Sequence, residues 1–423
     1  MKFPCCQAAD ILLPKRDMIE QGRWATIACD QFTSELSYWQ SAAEVVGNAP
    51  STLHMMLPEV YLEQTAARLP AIHAAMEEAL SSHLICHENA MVALERIQSD
   101  GRVRRGLVAQ IDLEYYDYTK GAASLIRATE GTVIERIPPR VAVRRDAMLE
   151  MPHVMLLIDD PDKTVLEPLF DASAAEEREI AYDTDLMLGG GHIRGSFLTE
   201  QEQSRVLTAL DALITPEAMA ARYGDATLAP LLFAVGDGNH SLATAKASFE
   251  EIKAAIGTEA AASHPARYAL VEIVNLHDEA LSFEPIYRVM FGVDPADVLD
   301  GLRAYAAKLS GTAAPQSVHC IGAFEAQDVT VEHPVQQLTV GTLQAFIDDY
   351  LKTHPEASVD YIHGEDSTAA LANAPDAIGF LFDGMEKSQL FRTVIYDGAL
   401  PRKTFSMGHA RDKRYYMECR KIK

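Results

Sequence analysis

The sequence predicts a mixed α/β protein, on two observations. Short apolar runs of strand length alternate with longer stretches whose apolar residues recur every three or four positions, and no segment repeats at a fixed period. With 423 residues, 48% of them hydrophobic, the chain is long enough for two or three compact units, each with its own core.

Residues 59–85 (EVYLEQTAARLPAIHAAMEEALSSHLI) carry Ala, Leu and Met at helical spacing, so one or two amphipathic helices are expected there, with a bend at Pro70. The runs AMVALERI (90–97) and RRGLVAQIDL (104–113) flank a Ser-Asp-Gly cluster, the pattern of a hairpin. VMLLIDDP (154–161) reads as a buried strand that ends in acidic loop residues. In LTEQEQSRVLTALDALI (198–214), Thr199 and Glu202 have the spacing of a capping box, which predicts a surface helix. LAPLLFAV (228–235) is short enough for a buried strand, and from Ser241 the residues Leu242, Ala245, Phe249, Ile252 and Ile256 recur at helical intervals until Gly257.

Between these last two elements stands Gly236-Asp237-Gly238-Asn239-His240. In a strand–turn–helix junction, glycines permit backbone conformations that a Cβ would block, and the first helical amides face outward, where they and the helix dipole favour an anion. Asn239 or Ser241 is expected to cap the helix, and Lys246 lies in its second turn as a phosphate partner. A carboxylate at Asp237 would repel a phosphate unless a divalent cation lies between them or the carboxylate acts as a base. His240 can serve as donor, base or ligand. The plainer alternative is a tight turn with an Asp or Asn cap and a locally bonded histidine.

Charge narrows the partners. Lys and Arg total 37 against 61 Asp and Glu, a formal net charge of −24, which argues against broad attachment to nucleic acid or an anionic membrane. The last stretch runs the other way: Arg402 to Lys423 holds eight Lys/Arg and two acids, a local +6 against about −30 for the remainder. It is expected to dock on the acidic body through RYYMECRKI, with Lys403, His409 and Arg411 as ligand candidates of lower rank. No stretch approaches the roughly 18 apolar residues of a membrane span, and the N-terminus lacks the apolar core of a signal peptide, so the chain reads as cytoplasmic. Six cysteines without a CxxC pair fit a reducing compartment, and the dispersed histidines show no HExxH spacing that would assign a metal.

DGNHSLATA is similar to the Asp-Gly-X-His-Arg-X-X-Ala signature of the ParB/sulfiredoxin-like superfamily, and within it the chain resembles the family called domain of unknown function 1015. ATIACDQFT (25–33) is similar to that family's N-terminal Tyr-Asp-Val-Ile segment, with Asp30 at the acid. GLVAQIDLEYYDY resembles its central hairpin, LSFEPIYRVMF (281–291) its Leu-Pro-Thr-His-Arg segment, and LPRKTFSMGHARDKRYY (400–416) its Pro-Lys-Ser-Thr segment. The resemblance implies a ParB/sulfiredoxin-like core over 89–260, an N-terminal region over 1–88 and a C-terminal α/β region over 261–423. It departs at two places: Ser241 stands where the superfamily has Arg, and Tyr287-Arg288 where the family has His-Arg. The missing Arg is a phosphate contact in nucleotide-using relatives, which include CTP hydrolases that clamp DNA, ATP-dependent reductases of oxidised cysteine and kinases of free serine. Lys246, Arg288 or Arg194 could substitute for it.

Two further stretches join the candidates. GGGHIRG (189–195) can form a donor-rich loop in which His192 and Arg194 meet a carboxylate or phosphate, or else a mobile hinge. In LIRATEGTVIERIPPRVAVRR (125–145), Arg127 and Glu130 precede Gly131 in a turn-like position facing a ligand, while the other charges read as a solvated face. The expected chemistry is nucleotide-dependent phosphotransfer on a small molecule, with Mg²⁺ and ATP or CTP. Asp237, His240 and Asp30 are its catalytic candidates, Asp237 is the metal candidate, and Gly236, Gly238, Asn239, Ser241, Lys246 and Arg288 are the binding residues. The alternative is a non-catalytic anion sensor; DNA binding is disfavoured by the charge and by the lack of a basic helix-turn-helix-like segment.

Overall fold

The computed structural model describes residues 5–33, 35–131, 137–171, 177–408 and 410–423. Two compact units result: residues 1–128, 132–281 and 408–423 form the first, and residues 129–131 and 282–407 the second.

The first unit is built on a mixed sheet. In chain order its strands are β1 (Cys6–Gln7), β2 (Ala9–Pro14), β3 (Leu84–Ala90), β4 (Val92–Ile97), β5 (Val103–Asp112), β6 (Tyr116–Asp117), β7 (Ile126–Arg127), β8 (Leu149–Glu150), β9 (Met155–Ile158), β10 (Ile180–Asp185), β11 (His192–Phe197), β12 (Phe233–Asp237) and β13 (Tyr268–Asn275). The main sheet runs β10-β11-β4-β5-β13-β9-β12-β7-β6, with β1 added beside β5. β4 and β5 form the expected hairpin, with Ile97 opposite Val103. Alternation along β5 explains its central place: Leu107, Ala109 and Ile111 enter one core and Val108 the other.

Helices cover both faces. On one side the helix Glu200–Ala212 contributes Val206 and Leu210, and the helix Asn239–Ile256 contributes Leu242, Ala245 and Phe249. Full burial of each large apolar side chain is worth about 1.5–3 kcal/mol. The stripe ends early, because Ile256 is exposed. On the other side lie β2, the helix Thr65–Glu78 through Ile72 and Met76, and the C-terminal segment through Tyr416, Met417 and Ile422. The predicted helical stretch 59–85 thus resolves into a 3₁₀ turn at 59–64, one helix with Pro70 inside it, a π turn at 79–83 and the start of β3.

The Thr199 capping box forms as read from the sequence. Thr199 Oγ1 accepts the Glu202 amide at 3.3 Å, and the Glu202 carboxylate accepts the Thr199 amide at 2.9 Å. Residues 414–420 are buried, as docking required, though only Arg420–Lys421 is a strand, pairing with β8. Arg420 Nε lies 2.8 Å from Glu150.

The second unit contains β14 (Phe283–Phe291), β15 (Gln316–Ile321), β16 (Gln327–Val331), β17 (Ser358–His363), β18 (Ala377–Leu381) and β19 (Phe405–Met407). The sheet order is β16-β15-β18-β14-β17, with β19 beside the start of β14. Helices Pro295–Ala306, Thr339–Thr353 and Lys387–Tyr396 bury apolar faces through Leu302, Phe346 and Phe391 respectively. Among the described residues no helix is long and apolar enough to cross a membrane.

Candidate functional site

The strand–turn–helix junction forms. β12 ends at Asp237, Gly238 adopts φ +81°, and the helix begins at Asn239. An L side chain at residue 238 would be strained by that φ and would bring its Cβ to 3.0 Å from Val154 Cα, so glycine is required here. The expected cap is corrected: Gly238 itself occupies the cap position and no side chain caps the helix. Asn239 and Ser241 fall inside the first turn, and the Gly238 amide donates back to Asp237 Oδ1 at 3.0 Å. The first bond of the ladder is Leu242 N–H to Gly238 O at 3.0 Å.

Side chains from distant segments gather there. Lys413 Nζ lies 3.5 Å from Asp237 Oδ1, although 176 residues separate them. Asp30 is close enough to Lys413 and His153 for both to act on it: burial would raise its carboxyl, but His153, the Gln31 amide and Lys413 together hold it below the usual range. Gln31 Nε2 donates to Asp30 Oδ1 at 2.9 Å. His153 Nε2 is 3.0 Å from Ser241 Oγ, and the His153 ring meets the edge of Tyr415 at 5.0 Å. His240 lends its carbonyl to Thr244 Oγ1 at 2.7 Å, and its Nε2 is buried. Beside Ser241 opens a cavity of about 180 Å³.

Other candidates lie elsewhere. Lys246 turns along its own helix to Glu250 at 2.6 Å, with Glu114 at 4.0 Å, so its charge is matched by acids. His192 sits between Asp185 at 2.7 Å and Asp183 at 2.8 Å; burial alone would lower its pKa, but the two carboxylates raise it. Arg194 is 3.7 Å from Asp183. The triglycine lies in the loop that joins β10 to β11, and a Cβ on Gly191, at φ +76°, would stand 2.1 Å from the Ile97 carbonyl oxygen on the neighbouring β4. Arg127 is buried and spends its donors on the carbonyls of Ser124 at 2.8 Å, Ala229 at 2.9 Å and Pro230 at 3.1 Å. Arg411 is exposed at the 3₁₀ turn 410–412, and His409 lies outside the described residues.

Arg288, Lys403 and Glu130 belong to the second unit. Arg288 is fully buried on β14 and donates to Gln344 Oε1 at 3.2 Å, to the carbonyls of Lys403 at 3.0 Å and Arg402 at 2.9 Å, and to the Ile286 carbonyl. Burial lowers its pKa to about 10, still protonated at neutral pH. Lys403 has φ +55°, and Glu130 forms a parallel bridge with Leu400.

Among the described residues no cluster of three or more His, Cys, Asp or Glu could hold a metal alone. The family model described as "Protein of unknown function (DUF1015)" matches residues 11–360. The chain belongs to the DUF1015 family. No curated protein matches this DUF1015 chain in sequence. Among solved structures, a conserved hypothetical protein from Pyrococcus furiosus is 11% identical, with 75% of this chain and 95% of that one covered and a TM-score of 0.34. A free serine kinase in complex with AMP is 10% identical, covering 75% and 91% at a TM-score of 0.36. SbnI from Staphylococcus aureus, truncated at its C-terminus, is 10% identical, covering 71% and 82% at 0.32. No residue role passes from such distant likenesses to this DUF1015 protein.

The sequence reading missed His153 and Lys413 as site residues. His153 stands alone in Met-Pro-His-Val, and Lys413 belongs to a basic segment whose overall charge is better explained by docking, so neither carries a local signal.

Proposed function

We propose that this DUF1015 protein binds a phosphate group at the start of the helix Asn239–Ile256 and uses it in nucleotide-dependent phosphotransfer to a small molecule. The observation that supports it is the pairing of Lys413 with Asp237 immediately before that helix, with Asp30 within electrostatic reach of the same lysine. Lys413 takes the part that the sequence suggested for Lys246. Two carboxylates beside one lysine would repel a phosphate, so the reading includes a divalent cation. Mg²⁺ commonly binds through one or two carboxylates together with substrate phosphates, and Asp237 is the residue that would hold it; when bound, it neutralises phosphate charge. Asp30 is placed to balance His153, and His240 stands in the same turn. A ParB/sulfiredoxin-like core over 89–260, with flanking regions over 1–88 and 261–423, is part of this reading.

Isothermal titration with ATP, CTP and their Mg²⁺ complexes tests it, comparing the native chain with the Asp237→Asn, Lys413→Ala double variant. Saturable heat that the double variant lacks is expected; equal heats, or none from either, would remove the proposal.

One feature favours a second reading. Ser241 stands where the superfamily signature has Arg, and its hydroxyl is engaged by His153. A non-catalytic sensor fits that loss: it would show ligand-induced stabilisation with no product.

A further inference from the structure

The cavity next to Ser241 is walled chiefly by flexible apolar side chains, among them Met55, Met56, Leu57, Met76, Met151 and Leu242. Its volume of about 180 Å³ is close to that of engineered apolar cavities, roughly 150 Å³, that take up benzene. Methionine walls adapt to the shape of what enters them.

The charged groups on the walls are matched with one another. Arg144 meets Glu150 at 2.5 Å, and Glu150 also receives Arg420 at 2.8 Å and the Leu270 amide at 2.8 Å. Arg140 is paired with Glu59. A charged ligand would have to break these pairs, whereas a neutral one need not. The polar end of the cavity is formed by His153 and Ser241, 3.0 Å apart, with the Tyr415 ring edge against the imidazole.

We infer that this cavity holds the acceptor of the transfer, a neutral alcohol with an apolar body about the size of a benzene ring, and that His153 removes its proton. The inference rests on the phosphotransfer reading above. In the step, the hydroxyl proton of the acceptor passes to Nε2 of His153, and the alcohol oxygen forms a bond to the terminal phosphorus of a nucleoside triphosphate. The bond from that phosphorus to the bridging oxygen breaks, and the nucleoside diphosphate leaves with the electron pair. Asp30 stabilises the imidazolium that results.

The test uses the full chain with benzyl alcohol, benzoate and glycerol as probes, first by saturation-transfer NMR and calorimetry without nucleotide. Benzyl alcohol is expected to bind saturably, and benzoate and glycerol at least about tenfold more weakly, a difference of about 1.4 kcal/mol. Ala245→Phe should fill the cavity and abolish binding. Should that variant fail to fold, Met76→Ala should enlarge the cavity and admit 2-naphthylmethanol, which the native chain rejects. With Mg²⁺ and ATP or CTP, phosphorylated benzyl alcohol is expected, and His153→Gln should lower kcat about a hundredfold or more while KM for the alcohol stays within threefold. Failure of benzyl alcohol to bind, or benzoate binding as tightly, overturns the inference while leaving the phosphate site intact if nucleotide titration still depends on Lys413. Alcohol binding without transfer to it overturns the role of His153 together with the phosphotransfer reading.

Discussion

His153 Nε2 lies 3.0 Å from Ser241 Oγ, joining the loop before β9 to the first turn of a helix 88 residues later. That contact, with Lys413 at Asp237, brings two further segments of the chain to the turn at Gly236–Ser241.

Lys413→Ala should weaken phosphate or nucleotide binding by about tenfold or more, the value of a charge-assisted contact of about 1.5–3 kcal/mol. Its effect on stability should be small, below about 1 kcal/mol, because the pair with Asp237 is partly exposed. Calorimetry and urea unfolding of the same variant separate the two. A large stability loss with unchanged binding would make Lys413 structural.

Glu418 should make the protein less stable as pH rises from about 4.5 to about 7. Burial is the main cause that pushes its carboxyl up to about 7 from the usual 4.5, against the hydrogen bond from Tyr182 at 2.5 Å. The folded state therefore keeps a proton that the unfolded chain has already released, so stability is highest below the unfolded pKa and falls through that window, by an amount on the order of 3 kcal/mol. Other carboxylates, including Asp30 and Glu150, are held low and act in the opposite direction in acid. The readout is thus the difference between native and Glu418→Gln chains in urea unfolding at pH 4.5, 6 and 8. A difference that does not change with pH refutes the assignment.

Glu272→Ala should cost about 3–5 kcal/mol, as expected when one member of a buried ion pair is removed. Arg104 donates to Glu272 at 3.1 and 2.9 Å across β5 and β13, and both are nearly fully buried. Equilibrium unfolding should show a drop well beyond that from Glu95→Ala, whose partner Arg105 is exposed at 3.5 Å. Equal losses would contradict the buried pairing.

Gly191→Ala should destabilise the fold more than Gly101→Ala. Both have positive φ, +76° and +86°, so each substitution strains the backbone, but only at 191 does a Cβ strike a main-chain atom, the Ile97 carbonyl oxygen. A backbone-strain cost of about 1 kcal/mol is expected at 101 and more at 191. Thermal unfolding of the two variants side by side decides it.

The sequence by itself was enough for the elements whose signal is local. The β4–β5 hairpin, the Thr199 capping box, the buried strand at β9 and the strand–turn–helix at Asp237 all came from period, cap and turn residues within a few positions of one another. It also carried the docking of the C-terminal segment, through its charge contrast. Only the tertiary structure decided which cations and imidazole reach the turn. Lys246 has the right helical position, yet acids one turn along its own helix and at Glu114 draw it away, while Lys413 and His153 arrive from irregular segments far off in the chain. Periodicity reports which face of an element is buried; it holds no information on which distant segment that face will meet, because that is settled by the packing of the whole core.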